Sequence, residues 1–183
     1  MCNRAKLLPL CRFGEMIPKD QSGAAAVEFA IVATPLIAIV MMAVQTTIIL
    51  FFDQALQTVT NQSTRSLMVG SAQISNMNQN QFHQLVCSKA PPIFNCPGIM
   101  VDVQSAGQFS QLNTAPLIPT YDPQGQVQNN WNYSPGGAGS IVIVRVMYMW
   151  PVFGGILGST LADQPNGNHL MVGTSVVKIE PYQ

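Results

Sequence analysis

The chain has 183 residues, of which 48% are hydrophobic and only 9% are charged, and its formal net charge is zero. Globular proteins usually carry about a quarter of charged residues. A nucleic-acid-binding protein needs a basic surface to neutralise phosphates, whereas here eight Lys and Arg residues are balanced by eight Asp and Glu residues. The composition therefore argues against nucleic acid as a partner and allows one domain of modest size.

A polar leader occupies residues 1–23. It carries a net charge of +2, from four cations and two anions, and only four further Lys or Arg residues follow in the rest of the chain. Positive charge beside a first membrane span keeps that flank in the cytoplasm. The charge distribution therefore predicts a cytoplasmic leader and an extracytoplasmic location for the part of the chain beyond the span.

The apolar segment that follows, residues 24–52, contains a single charged residue, Glu28. About 20 apolar residues suffice to cross the core of a bilayer, and this longer segment would rise roughly 43 Å as an α-helix. We therefore predict one transmembrane helix over 24–52, which tilts or emerges from the bilayer.

The junction between leader and span differs from that of a secretory signal peptide, in which a shorter apolar region precedes the cleavage site. Here the polar leader ends at Gly23, directly before Ala24 and the apolar segment. A cut between these two residues would leave the apolar segment in the mature chain. This layout resembles the class III leader of type IV prepilins, which a membrane-embedded aspartyl prepilin peptidase cleaves after Gly.

The segment GAAAVEFAIVATPLIAIVMMAVQ, residues 23–45, is similar to the start of TadE-like proteins, the minor pseudopilins of bacterial tight-adherence (Flp, type IVb) pilus systems. The shared features are Gly23, the small residues after it, Val-Glu-Phe at 27–29, and Pro35. Further similarities are a strand that ends in Tyr148 and Trp150-Pro151, and the pair Glu180-Pro181. Major type IV pilins usually begin with Phe, so Ala24 disfavours a major pilin and puts N-methylation of the new terminus in doubt.

This resemblance implies a single-pass protein of the bacterial inner membrane with a periplasmic C-terminal domain. The implied partners are the prepilin peptidase, other pilins or pseudopilins, the tight-adherence machinery and the lipid bilayer. Incorporation into the pilus and a role restricted to priming its assembly are both consistent with the resemblance.

Glu28 and Pro35 are the unusual residues of the predicted span. A carboxylate in a membrane helix costs roughly 3 kcal/mol unless it is paired, protonated or snorkels to the surface. In a pilin, the amino group freed at Ala24 of an adjoining subunit would pair with Glu28 and register the helices; otherwise Glu28 would snorkel. Pro35 cannot donate to the carbonyl of Ile31 and predicts a kink. The resemblance implies that this kink helps the subunit leave the bilayer, although a tolerated membrane proline explains it equally well.

Two helical segments are predicted beyond the span. Residues 53–70 should prolong the first helix along an apolar stripe, and Gly70 offers a stop. A second helix is predicted from Ser75, its N-cap, to about Lys89. Its predicted apolar side consists of Ile74, Met77, Phe82, Leu85 and Val86.

Alternating runs predict strands at 99–105, 141–150 and 170–179. Helices followed by strands indicate an α+β fold, in which residues 71–183 form a pilin-like extracytoplasmic domain with a small antiparallel sheet. The connection at 107–139 is unusually long, which predicts a mobile segment or a recognition loop. Its aromatic residues, Trp131 and Tyr133, fit an interaction surface or packing on the sheet equally well. Residues 151–167 are predicted to form a second irregular loop.

Cys87 and Cys96 close a short loop. In an oxidising compartment this pair predicts a disulfide, and otherwise two free buried thiols. The spacing matches no zinc pattern and His83 is the only nearby imidazole, so no metal site is predicted.

The sequence contains no recognisable catalytic constellation. His83 and His169 are isolated, and there is no Walker loop, nucleophile elbow or dinucleotide fingerprint. We therefore predict no enzyme, no cofactor and no metal. The favoured function is that of a TadE-like minor pilin. The alternative is an uncleaved, signal-anchored extracytoplasmic binding or adhesion domain, and a membrane-tethered enzyme is a weaker third.

Overall fold

The computed structural model describes residues 22–152, 161–164 and 167–182. The predicted leader, apart from its last two residues, lies outside the described residues, and so does part of the predicted loop at 151–167. The chain divides into two compact units, residues 1–41 and 42–183, and one long helix runs through both.

The helices and strands follow the predicted order. They are α1 (Ser22–Met68), α2 (Ser71–Ile74), α3 (Gln79–Lys89), β1 (Ile99–Ala106), β2 (Ile141–Pro151) and β3 (Asn168–Lys178). Single turns of 3-10 helix lie on either side of β1, at Cys96–Gly98 and Phe109–Gln111. One long helix followed by small helices and a three-stranded antiparallel sheet confirms the predicted α+β class.

α1 stops where the sequence predicts. Gly70 has a φ of 75°, the left-handed conformation that glycine adopts most readily. Its N–H donates to the carbonyl of Leu67 at 3.1 Å, and the ring of Tyr182 occupies the space that a Cβ atom would need. The carbonyl of Met68 accepts a hydrogen bond of 2.8 Å from the N–H of Glu180. Residues near 180 therefore satisfy part of the helix end.

The second helix begins later than predicted. Ser75 is not its N-cap, because the single turn α2 ends at Ile74 and α3 begins at Gln79. Asn78 and Gln81 cap this start reciprocally, each side chain accepting a hydrogen bond from the other's backbone N–H, at 2.9 and 2.8 Å. Ile74, which was expected on the apolar side, precedes this start and is exposed.

The sheet has the order β1-β2-β3, and both pairings are antiparallel. In the register, Val103 lies opposite Val144, and Val144 lies opposite Ser175 on β3. The alternation predicted for β2 is confirmed on one face, where Val142, Val144 and Val146 are fully buried. These valines form a core with buried residues of α1 and α3: Leu56, Val59, Leu67, Phe82 and Val86.

α1 approaches β3 at a glycine. A Cβ atom added to Gly173 would lie 3.0 Å from the carbonyl oxygen of Leu56 and would overlap the hydroxyl of Thr60. The buried side of α1 at this point also carries small polar residues, Ser63 and Thr64. The hydroxyls of Thr60 and Thr64 donate to carbonyls one turn earlier in α1, each at 2.8 Å. Small side chains therefore allow the close approach, and hydrogen bonds within the helix satisfy both threonines.

Gln57 ties α1 to the outer edge of β3. Its side-chain amide donates to the carbonyl of Thr174 at 2.8 Å and accepts from the N–H of Thr174 at 3.0 Å. A single side chain thereby satisfies both backbone groups of Thr174, at the side of β3 that faces away from β2 in the three-stranded sheet of the described residues.

Residues 107–139, which we call the covering segment, lie over the other face of the sheet. Leu112 is buried there, the hydroxyl of Tyr121 lies 4.0 Å from the sulfur of Met149, and Ile143 and Met147 of β2 are buried. Asn132 and Ser134 bond both backbone groups of Val103 at 2.8 Å, so this segment also extends the edge of β1. Tyr133, which lies between these two residues, packs against the core, so packing is observed for one of the two aromatic residues predicted in this segment.

A buried charge pair holds the covering segment on the sheet. Asp102 and Arg145 lie opposite each other in the register, with side chains only 3% and 5% exposed and charged atoms 3.9 Å apart. Asp102 accepts a hydrogen bond of 3.0 Å from the N–H of Asn132, and Arg145 donates to the carbonyl of Asn113. Each charge thus bonds a different point of the covering segment.

Replacing Gly173 with Ala should lower the free energy of unfolding by about 1–3 kcal/mol, because the new methyl group overlaps Thr60 and the backbone of Leu56. Chemical denaturation of the full chain in detergent micelles measures this change. Gly137→Ala is the matched control, since a Cβ at that position meets no atom within 4 Å. Adding Thr60→Ala should recover part of the loss. A Gly173→Ala protein as stable as the control would contradict the close approach.

Replacing Asp102 with Asn should destabilise the protein by about 3 kcal/mol, because it leaves the buried guanidinium of Arg145 without its counter-charge. The same denaturation experiment applies, with Glu180→Gln as the control, because Glu180 is an exposed acid. Stability unchanged within about 0.5 kcal/mol would show that the pair does not hold the structure together.

Candidate functional site

Most of α1 from Val27 to Phe51 displays apolar side chains that no described residue covers. The following side chains are between 40% and 75% exposed: Val27, Phe29, Ile31, Val32, Leu36, Ile37, Ile39, Val40 and Met41 in the first unit, and Met42, Val44, Ile48, Leu50 and Phe51 in the second. An exposed apolar surface of this extent on a protein marks contact with lipid or with another protein.

The exposed apolar surface surrounds the helix instead of forming a stripe. Ile31, Leu36 and Ile37 point in three well-separated directions around α1, and all three are more than half exposed. A helix that is apolar on all sides is typical of a membrane span or a fully buried helix. By length and composition α1 can cross a membrane, because an 18-residue window within Gly23–Met68 reaches a mean hydropathy of 2.3. The helix is therefore suited to anchoring the chain in a membrane.

The polar side chains within this apolar run are accommodated by the helix itself. Three threonine hydroxyls each donate to the carbonyl four residues earlier, at 2.7–2.9 Å: Thr34, Thr46 and Thr47. In lipid, such hydrogen bonds are the available way to satisfy a hydroxyl group. These threonines are consequently compatible with a membrane environment.

The residues predicted at the cleavage junction lie in the first turns of α1. Ala24 and Glu28 are four residues apart and therefore share one face of the helix, and both are exposed. A Cβ atom at Gly23 would meet no atom within 4 Å. Glu28 makes no ion pair with any residue in the ranges 22–152, 161–164 and 167–182. Any counter-charge for Glu28 must therefore come from elsewhere.

Pro35 lies inside α1, and the helix is continuous through it. Because proline has no N–H, the carbonyl of Ile31 loses its ordinary helical donor. The predicted kink at this position stays a prediction.

An aromatic cluster marks the point in the second unit where α1 becomes packed. The ring of Phe52 lies 4.5 Å from that of Trp150 and 6.0 Å from that of Phe94, and Phe94 in turn contacts Tyr148 at 5.1 Å. Ile49 is already buried in the same core. The hydropathy pattern assigned Ile49 and Phe52 to the span, whereas in the structure both pack with the sheet.

Asp53 follows this cluster in a partly buried position. Burial raises the pKa of the Asp53 carboxyl, the charge of Asp163 raises it further, and His169 lowers it. His169 lies 3.4 Å from Asp163, so the three groups are neighbours. Polar, titratable groups thus begin directly after the apolar run ends.

The structure joins Cys87 and Cys96 in a disulfide, with their Cα atoms 5.4 Å apart. His83 lies one turn before Cys87 on α3, and its Nδ1 atom is 3.8 Å from the sulfur of Cys87. This contact between His83 and Cys87 was not predicted from the sequence. The sequence does contain a pattern that predicts it, because His83 and Cys87 are four residues apart, and this spacing places two side chains on the same face of a helix.

Trp131 and Tyr133 of the covering segment have different surroundings. Tyr133 packs on Phe82 with ring centroids 5.6 Å apart, and burial raises the pKa of its hydroxyl. Trp131 lies between two open clefts of about 670 and 300 Å³, and Gln79 lines both of them. Tyr133 is therefore a packing residue, whereas Trp131 also contributes to the surface.

The exposed helix is the part of the chain that a known family shares. The family model described as TadE-like protein matches residues 23–65. This stretch is TadE-like. The resemblance predicted from the junction and from Val-Glu-Phe is confirmed, and the TadE-like segment covers the exposed part of α1 and most of its packed part. TadE-like proteins are structural components associated with Tad pili, not a family of enzymes.

The match ends before α2, so the similarities proposed for residues 148–151 and 180–181 remain predictions. Neither a curated protein nor a solved structure matches the chain.

Proposed function

We propose that this protein is a minor pilin or pseudopilin that takes part in assembling a bacterial tight-adherence pilus. The observation that carries this proposal is the coincidence of two features on α1. Residues 23–65 match the TadE-like family, and most of the apolar side chains from Val27 to Phe51 are exposed. A helix with this surface requires either lipid or the helices of other subunits around it. In a pilin, this helix moves from lipid into contact with the helices of other subunits.

The proposed life cycle begins with α1 in the inner membrane, the leader in the cytoplasm and the sheet-containing domain in the periplasm. The prepilin peptidase cuts between Gly23 and Ala24. The basic leader is lost, and the mature chain begins with a charged amino group on the first turn of α1. Cleavage thereby supplies a cation at the end of the helix that carries the carboxylate of Glu28.

Glu28 would then register neighbouring helices. Its side chain is exposed and makes no ion pair with the described residues, so it is available to the amino group of an adjoining subunit. In a low-dielectric environment such a pair is strongly distance-dependent, and a helix displaced along its axis would leave a charge uncompensated. The pair therefore favours one axial position of each incoming subunit.

The mass of the mature protein tests the cleavage. Intact-mass measurement of protein purified from cells with an active prepilin peptidase should show a chain that begins at Ala24. Gly23→Leu should retain the leader yet still fractionate with the membrane, because a side chain at this position begins in open space and leaves α1 undisturbed. A wild-type protein that keeps Met1 under these conditions would support the uncleaved anchored domain instead.

Replacement of Glu28 tests the registration. Glu28→Gln keeps the size of the side chain and removes its charge, so membrane insertion and leader cleavage should be unchanged, while surface piliation and co-purification of other pilus subunits should fall at least about tenfold. Glu180→Gln removes the same charge at an exposed position outside α1 and should have no effect. Normal piliation in the Glu28→Gln strain would exclude a role for this carboxylate in assembly.

A further inference from the structure

His83 is held in one orientation and one tautomer by the backbone. Its Nε2 atom lies 2.9 Å from the carbonyl oxygen of Ile99. A carbonyl can only accept a hydrogen bond, so in the neutral ring Nε2 carries the hydrogen and Nδ1 keeps its lone pair. The sulfur of Cys87 lies almost equally far from both ring nitrogens, 3.8 Å from Nδ1 and 3.9 Å from Nε2, so the Cys87 side chain must rotate to share a metal with that lone pair. Metal-binding histidines are typically oriented in this way, by donating the other ring N–H to a carbonyl.

Cys96 completes a group of three donor atoms. It lies in the single helical turn Cys96–Gly98, whereas His83 and Cys87 lie on α3. The Nδ1 or Nε2 atom of His83 and the two sulfur atoms all lie within 4.8 Å of one another, and the three residues are partly buried. Among the described residues, this is the one cluster of three or more His, Cys, Asp and Glu side chains with metal-binding spacing.

We propose that the reduced chain binds one soft divalent cation such as Zn²⁺ through Cys87, Cys96 and Nδ1 of His83, and that formation of the disulfide abolishes this site. Two ligands of one tetrahedral zinc lie roughly 3.5–3.8 Å apart, a separation that His83 and Cys87 already have. Once the S–S bond is broken, the two sulfurs can separate to the same distance. Two thiolates and one imidazole form a donor set that zinc prefers.

The disulfide form and the metal-bound form interconvert by a two-electron thiol–disulfide exchange. A dithiol reductant transfers two electrons and two protons to the S–S bond, so that two thiols form and the reductant becomes a disulfide. The cation then displaces the two thiol protons into solvent and is held by two thiolates and a neutral imidazole. Oxidation by a disulfide-bearing oxidant takes two electrons from the two thiolates and closes the S–S bond, the oxidant takes up two protons from solvent as it becomes a dithiol, and the cation is released.

The site has room for a fourth ligand. His83 lines the smaller of the two clefts, of about 300 Å³, together with Pro97 and Ile99. The imidazole therefore borders open space, and a water molecule would supply the remaining coordination position, as in zinc sites with three protein ligands.

Cys87 and Cys96 are free thiols in the newly made chain, before the disulfide forms. Thiols persist in a reducing cytosol, and disulfides form in the periplasm. With the topology proposed above, the cation would be bound before the outer domain reaches the periplasm and lost when the disulfide forms. This timing rests on the proposed function, whereas the metal site itself does not.

Cobalt binding tests the site, because thiolate ligands give tetrahedral Co²⁺ an intense charge-transfer absorption. The full chain is used in detergent micelles, with Cys2→Ser and Cys11→Ser to remove the other two thiols. After reduction by a phosphine under inert gas, one Co²⁺ should bind per chain, and Zn²⁺ should displace it. The oxidised chain should give no such absorption.

Variants of the two histidines show whether the imidazole is a ligand. His83→Gln can still donate to Ile99 but lacks the imidazole lone pair, so Co²⁺ affinity should fall at least about tenfold. His169→Gln is the matched control and should bind like the parent chain. Far-UV circular dichroism of each reduced variant, with and without metal, separates loss of a ligand from loss of the fold.

Three results would overturn the proposal. They are a reduced chain that binds no Co²⁺ or Zn²⁺, affinity that is the same in His83→Gln and in the parent, and equal binding by the oxidised chain. None of these results bears on leader cleavage or piliation, so failure of the metal site and failure of the pilin proposal remain distinguishable.

Discussion

The position of α1 on the sheet depends on the missing side chain of Gly173. A Cβ atom at this position would overlap the hydroxyl of Thr60 and would lie very close to the carbonyl of Leu56. The size of the side chains between a helix and a sheet normally sets the distance between them. Because Gly173 has no side chain, α1 lies at a short distance from β3. The amide of Gln57 can reach both backbone groups of Thr174 because the helix lies this close.

α1 combines two kinds of surface in one continuous helix. Up to Phe51 its apolar side chains are mostly exposed, and from Leu56 onward one side is buried against the second unit's own core. The TadE-like segment, residues 23–65, includes both kinds of surface. The family pattern thus describes more than a membrane anchor, because it extends into the residues that fold against the sheet.

Features with a local signal were predictable from the sequence. The apolar run, the glycine stop at Gly70, the alternation in β2 and the cysteine pair each follow from neighbouring residues, and the structure contains all four. The start of α3 was predicted too early because Ser75 is also a residue type that favours an N-cap, whereas Asn78 and Gln81 form a reciprocal pair of capping hydrogen bonds.

Features that depend on contacts between distant residues were missed. The pairing of Asp102 with Arg145 follows from strand register, which single-sequence alternation does not specify. Burial of Thr60 and Ser63 reflects a close helix–sheet contact, which the polarity of these two side chains does not predict. At the candidate site, Gly23 and Glu28 could be named from the sequence, whereas the partner proposed for Glu28 belongs to a second chain, which a pattern within one chain does not specify.

The pair of hydrogen bonds from Gln57 to Thr174 has a consequence for the edge of the sheet. An outer strand with free backbone groups can pair with a strand of another chain, and β3 has exposed Val172 and Val176 on either side of Thr174. An incoming strand would first have to displace the Gln57 amide and break both of its hydrogen bonds. The side chain of Gln57 therefore protects this part of β3 against edge-to-edge aggregation.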